Sequence, residues 1–97
     1  MRIINVIQTN AGIIESVESF VIDEWLSKTN NFFFTEKEAI EKAESLFAQC
    51  IKDNYRFDDS QNKEEIIEEA LEQGVFADEG GNYYEVAIVW SGININE

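Results

Sequence analysis

Residues 2–22, RIINVIQTNAGIIESVESFVI, are the stretch that decides the fold. Their first half is rich in β-branched types, and Ile3, Ile4, Val6 and Ile7 place apolar groups on both faces of an extended chain. That pattern belongs to a strand inside a sheet, not at its edge. Asn10, Ala11 and Gly12 supply turn chemistry that sends the chain back through 13–22 as an antiparallel partner. In this return strand Glu15, Ser16, Glu18 and Ser19 break the apolar alternation, so one face meets water and a β-bulge fits there.

Downstream, residues 23–34 admit two readings. They form either an extended arm turning at Asn30 and Asn31, or a continuation of the second strand followed by a short extra strand at Phe32, Phe33 and Phe34. From Thr35 the pattern sharpens. Thr35 and Glu38 are spaced as a capping box, and Ala39, Ile40, Ala43, Leu46, Phe47, Cys50 and Ile51 form one apolar stripe, which predicts an amphipathic helix to about Asp53. After a polar connection over 54–60, Asn62 and Glu65 repeat the capping logic for a second helix. Its inward residues are Ile66, Ile67, Ala70 and Leu71, and Gly74 ends it. Val75, Phe76 and Ala77 then suit a short strand, 79–82 a turn and 83–91 the last long strand. In that strand Tyr84, Val86, Ile88 and Trp90 face the helices and Glu85 faces away.

The expected fold is therefore α+β: an antiparallel sheet of three to four strands with two helices on one face, in β-β-α-α-β-β order, as a single domain over residues 1–97. Helices on one face leave the apolar groups on the other side of the first strand uncovered. Either the arm carrying Trp25, Phe32, Phe33 and Phe34 or a second copy of the chain, as a homodimer, would cover them.

Charge is the other dominant signal. The 97 residues carry net −13, and 58–79 alone hold Asp58, Asp59, Glu64, Glu65, Glu68, Glu69, Glu72, Asp78 and Glu79 against one base, Lys63. Within the second helix Glu64/Glu68, Glu65/Glu69 and Glu68/Glu72 are like charges one turn apart. Each such pair costs about 0.2–0.5 kcal/mol. More acids follow along the first helix at Glu36, Glu38, Glu41 and Glu44. Such a surface repels nucleic acid and anionic lipid directly, and a basic, Lys/Arg-rich protein surface is the partner it would attract.

Enzyme chemistry has little to work with. The chain has no histidine and a single cysteine, Cys50, so imidazole bases, nucleophilic triads and the usual zinc ligand sets are missing, and no cofactor motif occurs. Asp58, Ser60 and Asn62 offer oxygen ligands at calcium-loop spacing, but Lys63 stands where that loop needs glycine, so no metal site is expected. Gly80 and Gly81 read as a turn, because Asp78 and Glu79 would repel a phosphate. The lone cysteine, the absence of a secretory signal pattern and the lack of a long apolar run make cytoplasmic location the expectation.

In size, acidity and lack of active-site residues the chain resembles the small inhibitors that phages and mobile elements make against restriction or CRISPR machinery. The likeness is one of class, with no shared motif. It implies a non-enzymatic, nucleic-acid-mimicking protein that blocks a DNA- or RNA-binding complex and carries over no residue; the charge pattern itself nominates the nine carboxylates from Asp58 to Glu79 as contacts, with Tyr83 as an aromatic anchor. The alternative is a structural or accessory module that makes a homodimer or host-complex contact through an apolar sheet face, its acids serving solubility alone.

Overall fold

A computed structural model describes residues 2–55, 58, 60–78 and 84–92. The elements run β1 (Arg2–Asn10), β2 (Ile13–Ile22), a single 3-10 turn (Leu26–Lys28), β3 (Phe33–Phe34), α1 (Glu36–Asn54), α2 (Lys63–Gln73), β4 (Val75–Asp78) and β5 (Tyr84–Gly92). The described residues form an α+β fold with two helices and a five-stranded mixed sheet of order β3-β2-β1-β5-β4. The double-sided strand β1 lies at the centre, flanked antiparallel by β2 and by the final strand β5.

Three details depart from the sequence-based expectation, the first being the element order, which is β-β-β-α-α-β-β in place of β-β-α-α-β-β because β3 precedes the helices. The sheet has five strands, not three to four, and it is mixed, because β3 pairs parallel with the end of β2 through Val21↔Phe33 and Ile22↔Phe34. The reason lies in local hydrogen bonding at residues 23–34. Asp23 Oδ1 accepts from the N–H groups of Trp25 and Leu26 at 3.0 and 2.9 Å, which ends β2 in the 3-10 turn. The chain then loops back, and Asp23 N–H donates to the Phe34 carbonyl at 3.0 Å. A return through a loop instead of a hairpin makes the new strand parallel. β4, only four residues long, adds the opposite edge by pairing antiparallel with β5.

The hairpin joining β1 and β2 has a two-residue loop in which Ala11 (φ 53°) and Gly12 (φ 82°) both occupy the left-handed region. This is the primed turn that matches strand twist. A shift in register beside Gln8 and Thr9, where Gln8 opposes Ser16 and Thr9 opposes Ile14, is the bulge that the polar interruption suggested. The helix ends also follow their local chemistry. The Thr35 hydroxyl accepts from Glu38 N–H at 3.2 Å while Glu38 Oε1 accepts from Thr35 N–H at 3.1 Å. The same Thr35 contacts, backbone first, hold the Glu38 carboxyl below the usual carboxylate range. Asn62 Oδ1 accepts from Glu65 N–H at 3.2 Å, and Gly74 closes α2 at φ 75° with its N–H on the Ala70 carbonyl.

Both helices pack on one face of the sheet. The core joins Ile4, Val6, Ile22, Tyr84 and Val86 from the strands to Ala39, Ala43, Phe47 and Ile51 of α1 and Ile67 and Ala70 of α2. Alanines on α1 let that helix approach the sheet closely, and Phe47, fully buried, fills the space beneath it. Phe34 closes one end by meeting Phe20 edge to face at 5.9 Å, and Tyr55 meets Phe76 in the same way at 5.1 Å. No helix is long and apolar enough to cross a membrane among the described residues.

Candidate functional site

Burial of Ile67 and Ala70, with Ile66 and Leu71 packed against the core, fixes the rotation of α2 about its axis. At 3.6 residues per turn, Glu64, Glu65, Glu68, Glu69 and Glu72 then occupy an arc of about 140° opposite the buried stripe. All five side chains are exposed. Among the described residues none of the five forms an ion pair, whereas Arg2 pairs with Glu36 at 2.7 Å. Five carboxylates over this length amount to about one charge per 2.7 Å of helix, the same order as duplex DNA with one per ~1.7 Å.

The other acids of the cluster are placed differently. Asp58 is exposed and closes the turn before α2: its N–H donates to Gln61 Oε1 at 2.8 Å, and its carbonyl accepts from Gln61 N–H at 3.0 Å. Asp78 sits half-buried at the end of β4, on the helix side of the sheet opposite Tyr84, and so does not share the outward arc of α2. Asp59 and Glu79 lie outside the described residues, as do Tyr83 and the turn expected at 79–82. One acid that the linear reading left apart joins the group. Glu44 of α1 and Glu72 of α2 line the same groove of about 410 Å³, whose floor is Ile4, Ile40, Ala43, Leu71 and Ile88. Their 28-position separation hides this proximity, which depends on how the two helices are set side by side. The only sequence cue is that Glu44 falls one turn after Ile40, at the border of the α1 stripe.

Cys50 is half-buried, with Sγ donating to Gln8 Oε1 at 3.6 Å. Burial, and then the charges of Asp53 and Glu18, push its thiol pKa up, which opposes nucleophilic chemistry. Next to it, the Tyr84 hydroxyl donates to the Cys50 carbonyl at 3.3 Å. Burial, then neighbouring Cys50, moves that phenol up to about 12. Neither group is tuned for proton transfer near neutral pH. The described residues contain no group of three or more acidic, cysteine or histidine side chains arranged to hold a metal ion. No protein-family model, curated protein or solved structure matches the chain.

Proposed function

We propose that the protein is a non-catalytic acidic ligand that docks the outward face of α2 onto a Lys/Arg-rich protein surface, most concretely a groove built for nucleic acid. The observation that carries this reading is the shared outward arc of Glu64, Glu65, Glu68, Glu69 and Glu72, exposed and without ion pairs among the described residues. A helix that keeps three like-charge pairs gives up roughly 1 kcal/mol in sum. A cationic partner offsets that cost on binding, and long-range attraction speeds the encounter. Glu44, across the groove from Glu72, extends the negative surface onto α1. On this reading the inhibitor-like role is occlusion: the helix takes the place of a phosphate backbone, and no bond is made or broken.

The test is affinity capture of nucleic-acid-binding proteins by the immobilised chain at low and high NaCl, with duplex DNA as competitor. Capture is expected to fall steeply with salt, to be displaced by DNA, and to be lost in the triple variant Glu65→Lys, Glu68→Lys, Glu69→Lys. Circular dichroism checks that this variant keeps its fold. Capture that the triple variant retains would overturn the reading.

A further inference from the structure

The pairing registers divide the strands into two faces. One carries Ile4, Val6, Val86 and Ile88 toward the helices. The other carries Ile3, Ile7, Val17, Val21, Val75 and Val89, and no element among the described residues covers it. Val17, Val75 and Val89 remain 52%, 39% and 41% exposed. The chain's own aromatic arm is not the cover. Phe34 is drawn into the core side, Phe33 joins the open face as an edge-strand neighbour of Val21, and Trp25 and Phe32 stand 77% and 83% exposed beside the β3 edge.

We propose that this open sheet face is the interface of a homodimer, packed on the same face of a second copy as a two-sheet sandwich. Three features select a second copy as the occupant. The first is charge. In a chain of net −13, Glu85, near one end of β5, is the one charged side chain among the residues paired on this face, and Glu15 stands at the unpaired bulge position of β2, so here two like-charged copies can meet with few carboxylates opposed. The second is area. Three strands of nine or ten residues, widened by β3 and β4, offer a face of about 30 by 20 Å, roughly 600 Å² in projection. Side-chain relief brings that close to the ~800 Å² per partner of a standard stable interface. The third is polar satisfaction. Near the middle of the face the Ser19 hydroxyl donates to Asn5 Oδ1 at 2.6 Å across the β1–β2 pair, so burial there does not strand these two groups.

Packed sheets stand ~10 Å apart, and a helix layer ~10 Å in diameter lies outside each. The two α2 carboxylate rows therefore point away from each other, roughly 30 Å or more apart, which is several times the ~8 Å Debye length at physiological ionic strength. This inference does not depend on the role proposed for α2, and its salt response has the opposite sign.

Light scattering on a sizing column tests it. The expected result is a particle of twice the 11.2 kDa chain mass, maintained or tightened as NaCl rises because screening relieves the repulsion between copies. The double variant Val17→Lys, Val89→Lys is expected to run as a monomer with an unchanged circular dichroism spectrum, since both positions are already part-exposed. Ser19→Lys, at an exposed position of the same face, gives a single-substitution check if the double variant folds poorly. A native chain that stays monomeric at high concentration would sink the proposal, as would a dimer that survives both variants or one that is lost instead in the α2 triple-lysine variant.

Discussion

Tyr84 shows how one residue can couple packing to pH. Its ring is part of the core, and its hydroxyl donates to the Cys50 carbonyl, tying β5 to the last turns of α1. The neutral phenol is favoured in the folded state, with its pKa up to about 12, against about 10 for an unfolded tyrosine. Below pH ~10 both states hold the proton and the contribution is complete. Between about 10 and 12 the unfolded chain releases its proton while the native chain keeps it, so stability falls as pH rises through this window. Denaturant melts across that range, with phenolate absorbance followed in parallel, should show the loss, and Tyr84→Phe should flatten it. Ala11 is a second instructive residue. It holds φ 53° in the hairpin loop, a left-handed conformation that costs an alanine roughly 1 kcal/mol. Ala11→Asn, which completes an Asn-Gly turn with Gly12, should therefore raise stability by about 0.5–1 kcal/mol in a urea melt. A loss of stability would show that the loop conformation is held by something other than the intrinsic preference of its residues.

At the scale of elements, α2 is built against its own interest. Glu64 and Glu65 complement the positive N-terminal end of the helix, but Glu72 stands in the last turn, where no basic residue offsets the negative end. It also faces Glu68 one turn back. Glu72→Lys removes both penalties and should stabilise the protein by roughly 0.5–1.5 kcal/mol, read from the thermal or urea midpoint. The same change should weaken capture of basic partners, a trade of binding against stability confined to one position. The hairpin and the helices were legible beforehand because each carries its own punctuation: the primed turn, the Thr35/Glu38 capping box, Asn62 and Gly74. β3 was legible only as one of two readings, because its two residues have no period to read, and its parallel direction was not, because that pairing depends on Asp23 gathering the N–H groups of Trp25 and Leu26.

Over the whole molecule, apolar and acidic surfaces are segregated. The helix layer separates them: outward lies the carboxylate arc of α2, inward the core, and beyond the sheet the mainly apolar open face. This arrangement gives the two proposed contacts opposite responses to ionic strength. Capture through α2 should weaken as salt screens a long-range attraction, while self-association through the sheet should hold or strengthen as salt screens repulsion between copies. A single titration with NaCl, followed by both pull-down and light scattering, therefore separates them. If both signals fall together, association runs through charge alone and the sheet-face dimer is overturned.

The linear chain by itself determined that β1 is central, which residues line each helix, and that five glutamates share the outer side of α2, because strand and helix periods are local properties read from spacing. Only the tertiary structure decided that Asp78 leaves the acidic group, that Glu44 joins Glu72 across a groove, and that Trp25 and Phe32 stand exposed instead of covering the far side of the sheet. Those outcomes depend on strand order, helix placement and the path of a loop, which are set by contacts between residues distant in the chain and leave no periodic trace along it.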